Sequence, residues 1–184
     1  MVLNMVVTPI DALPYLRGLQ AVLAGYEGYT KGKRRAADKA VRNELIRAAL
    51  RTRNHMTNLH DAAVTASRNE LAIAAKRCCF ALDVFIEDVS KASSGLSRSF
   101  FSGQRILRNS DLKRLIHHDH QVITMVTKAT NIANAAEREY AHQGPSDEVE
   151  SLILRCQQMV TSSGGLFSER TMILDGLRQK KKRK

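Results

Sequence analysis

Tryptophan is absent from this 184-residue chain, and only 5% of its residues are aromatic. A large β-sandwich core and an aromatic-lined enzyme pocket both draw on more rings than that, so neither is expected. Breakers are scarce as well: 3 prolines and 10 glycines leave long uninterrupted stretches and favour helices. The 3 cysteines cannot complete an intramolecular disulfide framework, and two of them are adjacent, Cys78 and Cys79. Reduced thiols in a reducing intracellular compartment are the simpler expectation. No run approaches the ~18 consecutive apolar residues of a membrane-spanning helix. Met1–Val7 is apolar but short and lacks a basic residue, so no secretory leader is expected. Acids are the last shortage, 18 against 29 Lys and Arg, for a net charge of +11.

What is present is a hydrophobic fraction of 43%, enough for a core in one domain of ordinary size. The expected organisation is a single helical domain over residues 1–177 followed by a disordered basic tail, 178–184. The excess charge is concentrated. Lys31–Arg53 holds nine basic and two acidic residues, net +7, and Arg178–Lys184 adds six basic residues and no acid. Concentrated blocks of one sign point to an acidic partner such as nucleic acid, an anionic membrane surface or an acidic protein.

Along the chain, Thr8-Pro9 reads as a helix start, with Pro14 interrupting and an end near Gly25. Gly25–Gly32 is a connector. From Arg35 the pattern is helical. Leu45, Ala49, Thr52, Met56, Leu59, Ala63 and Ala66 recur at alternating four- and three-residue steps, one helical stripe. A second seam, Leu71, Ala75, Cys78, Leu82, Phe85 and Val89, is out of register with the first. A break at Ser67 is therefore expected, with Ser67 and Glu70 spaced as a capping box. Leu96–Gly103 reads as a loop whose Phe100 and Phe101 plug the bundle end. A further helix starts near Ser110-Asp111, with a seam from Val122 to Tyr140. Gln143–Ser146 is a turn, and the next helix is expected to stop at Ser162–Gly165 before a last one over 167–177. The fold class is all-α: an antiparallel bundle of five to six helices with thin, alanine-rich seams. Thin bundles gain stability by associating, so a homo-oligomer is expected.

Two constellations suggest phosphate contacts. On the helix after Gly32, Arg35, Lys39 and Arg42 share a face, Arg47 and Arg51 extend it, and Lys31, Lys33 and Arg34 precede it. The opposite face carries Val41, Leu45 and Ala49. The run Lys180, Lys181, Lys182, Arg183, Lys184 reads as a nucleic-acid patch or a nuclear-import signal. Arg53-Asn54 followed by His60 resembles the R-x4–6-H motif of HEPN-type ribonucleases, which are all-α and dimeric. That resemblance implies metal-independent RNA cleavage, with Arg53 holding the phosphate, Asn54 orienting it and His60 moving a proton. His117 and His120, at i and i+3, are a minor alternative as a metal pair. No glycine-rich phosphate loop, dinucleotide fingerprint or H-E-x-x-H stands in the chain, and no cofactor is expected.

The leading expectation is thus a non-enzymatic basic helical protein that binds RNA or DNA through backbone contacts, as an accessory, packaging or architectural factor. The alternatives are a helical protein–protein interaction module and a HEPN-like ribonuclease.

Overall fold

The structure is a computed structural model, and it describes residues 13–23, 25–30, 32–92 and 109–179. Five helices hold 89% of these residues, and no strand occurs among them. They are α1 (Leu13–Val22), α2 (Arg34–Thr65), α3 (Asn69–Lys91), α4 (Asn109–Gln143) and α5 (Asp147–Gln179). The proposed loop over 96–103, its two phenylalanines, Lys31 and the run 180–184 lie outside the described residues, as does the Thr8-Pro9 start. No described helix is long and apolar enough to cross a membrane.

The chain divides into two compact units. The first comprises Met1–Asn43, Ala92–Gln121 and Ser168–Lys184; the second comprises Glu44–Lys91 and Val122–Phe167.

The second unit shows why the seams read so clearly. All six residues of the α3 seam are buried, as are Leu45, Ala49, Thr52, Met56, Leu59 and Ala63 of α2. Val122, Val126, Ala129, Ala133 and Ala136 of α4 and Val149, Ile153, Cys156 and Val160 of α5 are buried in the same unit. Alanine at so many seam positions lets backbones approach closely: the Cys156 thiol reaches the Ala129 carbonyl at 3.5 Å. Arg53 meets Asp83 and Thr57 meets Cys79, so α2 and α3 run antiparallel. Thr52 meets Thr130 while His55 and Asn58 meet Glu137, so α2 and α4 run the same way.

The break near Ser67 is borne out, but by a different device. Ser67 has φ 55° and closes α2: its N–H donates to Val64 O and the Arg68 N–H donates to Ala63 O. This is a Schellman end with serine where glycine is usual. Ser67 therefore terminates α2, and α3 begins two residues later rather than being capped by Ser67. At the other turn, Ser146 does cap α5, its hydroxyl accepting from the Val149 N–H.

Pro14 sits in the first turn of α1, where its missing N–H costs nothing, and the segment from Thr8 that it was expected to interrupt lies outside the described residues. One expectation fails. Ser162–Gly165 does not stop α5, which continues to Gln179. The stripe Val149, Ile153, Cys156, Val160 runs on through buried Ser163, Phe167 and Arg170 at the same four- and three-residue steps. Ser163 donates back to Met159 O, Gly164 lies beside Phe85, and the Phe85 and Phe167 rings meet edge to face at 6.4 Å. Burying that stripe outweighs the roughly 1 kcal/mol that each glycine costs inside a helix.

The first unit contains α1, the connector, the first residues of α2 and α4 and the last residues of α5. Leu16, Leu19, Leu23, Tyr26, Val41, Leu115 and Ile116 form its apolar interior. Gly28 has φ 71°, and a Cβ there would come to 3.4 Å from Leu16. Beside the apolar residues lies a buried polar cluster. Arg170 is 3% exposed and uses all three guanidinium nitrogens: Nε to Asp119 at 2.6 Å, Nη1 to Asp38 at 2.7 Å and Nη2 to the Tyr29 hydroxyl at 2.6 Å. The Tyr29 hydroxyl in turn donates to Asp119. Arg42 pairs with the same Asp38 at 3.0 Å and donates to Ala92 O. Two carboxylates thus face two guanidiniums. Burial opposes the charge of Arg170, but Asp119, Tyr29 and Asp38 hold it firmly protonated. Burial pushes the Tyr29 hydroxyl well above its ordinary range, so it stays a donor.

Candidate nucleic-acid interface

The two units divide the charge unequally. Counted over the sequence, the first holds 19 basic and 7 acidic residues, net +12, and the second 10 and 11, net −1. The whole excess belongs to one unit.

Within that unit, α2 begins with Lys33, Arg34 and Arg35 around its first turn and no acid there. The helix dipole is positive at this end, so local preference is broken: like charge accumulates where acids would be stabilising. Arg34 escapes by burial. It is 6% exposed, its Nε donates to Tyr29 O at 3.3 Å, and desolvation lowers its pKa. Arg34 is therefore a structural residue rather than part of the outer face. Arg35 and Lys39 are exposed. Lys33 is exposed with Glu27 at 3.6 Å, and Arg42, half-buried, is committed to Asp38. The outer basic face of this unit's α2 thus rests on Lys33, Arg35 and Lys39.

Arg47 and Arg51 fall in the second unit, and both converge on buried Glu44, at 2.9 and 3.1 Å. Two cations around one carboxylate leave one positive charge uncompensated.

The ribonuclease-like trio is partly assembled. Arg53 and His60 line one groove of about 290 Å³, together with Thr57, Lys76, Cys79, Phe80 and Asp83. Asn54 is exposed outside that lining. Arg53 is bound at both ends by Asp83, at 2.6 and 3.4 Å, which raises its pKa, and His60 lies 3.0 Å from Asp61. His117 and His120 both set an edge against the Tyr15 ring, with centroids 4.4 and 5.3 Å away. No described cluster of three or more His, Cys, Asp or Glu is arranged to hold a metal ion.

Cys78 and Cys156 are buried core residues with their sulfurs 3.8 Å apart. Contact with Cys156 and burial push the Cys78 thiol far up, which suppresses the reactive thiolate. The sequence missed the Arg170 cluster. Its only local trace was an aspartate among histidines, His117–His120, and an arginine at a seam position of α5.

Fold and charge define an all-α protein with one strongly basic unit and one near-neutral unit. Comparison with protein-family models, curated proteins and solved structures returned no match.

Proposed function

We propose that the chain is a non-enzymatic nucleic-acid-binding protein, an accessory, packaging or architectural factor that grips backbone phosphate through its first unit. The observation that carries this reading is the confinement of the charge excess to a single unit, which holds +6 even without residues 178–184, against −1 in the other. Support comes from the start of α2. Exposed Lys33, Arg35 and Lys39 add to the positive end of the helix dipole, and a phosphate there meets both fields at once. Contacts of this kind supply affinity without base preference and fall steeply with salt.

The test is a salt titration of binding to labelled RNA and DNA of matched length. It compares the intact chain, the variant Arg35→Glu/Lys39→Glu, and a chain ending before Arg178. The expected result is a steep salt dependence that survives truncation and weakens in the double reversal. Unchanged binding in the double reversal, or its complete loss on truncation, overturns the reading.

A ribonuclease reading draws on Arg53 and His60 sharing one groove. It has Asp83 against it, since that carboxylate already occupies the arginine a phosphate would need. RNA cleavage by the purified chain that disappears in His60→Ala with the fold intact would establish it.

A further inference from the structure

Helix α3, which belongs wholly to the second unit, is apolar on two faces. One face is the buried seam. On the other, Ile73, Phe80 and Val84 are 51, 71 and 42% exposed. At 100° per residue they fall within about 40° of arc, opposite the seam. Exposed Arg77, Glu87 and Lys91 continue the same stripe, Glu87 and Lys91 forming an exposed ion pair on their own helix that the Glu87 carboxylate can share with a second cation. The six residues are separated by steps of 4, 3, 4, 3 and 4, the spacing of a helix–helix seam.

The stripe is also complementary to itself when reversed. Set antiparallel about a two-fold axis at position 82, Phe80 lies opposite Val84 of a second copy, Arg77 opposite its Glu87, and Ile73 opposite the alkyl stem of its Lys91. Each layer occurs twice by symmetry, so the apolar pairs sit at the centre and opposite charges flank them. A two-fold contact requires this kind of self-complementarity. In a parallel pairing the same residues would set Arg77 against Arg77 and Glu87 against Glu87. Asp83 flanks the axis and would approach its own copy, but Arg53 already neutralises it at 2.6 Å.

From the exposed apolar stripe and the reversed order of its charges, we infer that the occupant of this face is a second copy of the chain, docked through α3 in an antiparallel, two-fold pair about 27 Å long. The inference stands apart from the nucleic-acid reading, because the face lies in the unit with no charge excess and is tested without nucleic acid.

Sedimentation equilibrium of the full chain over a wide concentration range is the experiment. The expected result is a monomer–dimer equilibrium that Phe80→Asp abolishes, with circular dichroism unchanged because Phe80 is 71% exposed and lies outside the buried seam. Arg77→Glu alone and Glu87→Arg alone each set like charges together twice. Each is expected to raise the dimer dissociation constant by about tenfold or more. The double exchange Arg77→Glu/Glu87→Arg restores the dimer, and mixing the two single variants produces a heterodimer. A concentration-independent monomer overturns the inference. So does a dimer indifferent to Phe80→Asp, or a double exchange no better than the singles.

Discussion

Beside its leucines and tyrosines the first unit encloses Arg170, Asp38, Asp119 and Tyr29, whereas the second encloses mainly leucines, alanines and a pair of thiols, with Glu44 as its one buried charge among the described residues. The difference lies in how much geometry each interior demands. Alanine and valine seams tolerate small shifts, because dispersion and burial have no preferred direction. A buried guanidinium with three partners does not: each donor must meet its acceptor, and a missing member leaves a charge with no solvent. Outwardly the contrast inverts. The unit whose interior holds the paired arginine carries the net positive charge, and the unit with the mainly apolar interior is close to neutral. The lesson is that net charge and buried charge are separate properties. The first unit pairs Arg170 with the acids buried beside it and still carries a net charge of +12.

The sharpest way to break this comparison is Arg170→Met. Removing the guanidinium leaves Asp38 and Asp119 facing each other's field, at a cost of about 3–5 kcal/mol. Urea unfolding measures the loss, and hydrogen exchange should place it in residues 13–43 and 109–121. A loss below 1 kcal/mol would mean that water already screens the cluster. The counterpart in the second unit is Leu82→Ala, at about 2–5 kcal/mol by burial and cavity formation. Its exchange signature should fall in 69–91 and 122–167. On the surface, Arg35→Glu/Lys39→Glu should lower the slope of log affinity against log salt by about 2, one unit per lost phosphate contact. Arg47→Glu/Arg51→Glu, in the near-neutral unit, should change it less. The smallest effect concerns pH. Burial, and secondarily His117, lower the pKa of His120 below the ordinary 6.5. A group with a depressed folded pKa contributes stability above its unfolded value and loses it as pH falls through the folded one. Stability should therefore begin to decline below about pH 6.5, and His120→Gln should flatten part of that decline in a series of thermal melts.

Much of this fold was legible. The α3 seam was read without error because its stripe is apolar at every step, and the change of register at Ala66–Leu71 marked the end of α2. The continuation of α5 was not legible. Serine and glycine at 162–165 are local stop signals, and only the long-range partner Phe85 shows why the helix continues. The Arg170 cluster was hidden for a related reason. Its members are 51 and 141 residues apart in pairs, and no local pattern distinguishes a buried arginine from a solvated one. Of the basic ridge, the sequence placed Arg35 and Lys39 on the outer face but could not see that Arg34 turns inward. Nor could it see that the charge excess belongs to one unit, since that unit is assembled from three separate stretches of chain.

The placement of Arg170 also sets an order of events during synthesis. A ribosome delivers Tyr29 and Asp38 early, Asp119 much later and Arg170 later still. Until α5 is almost fully exported, the two aspartates have no arginine from that helix to receive them. A chain cut before position 170 would keep every residue of the second unit yet leave Asp38 and Asp119 without that arginine.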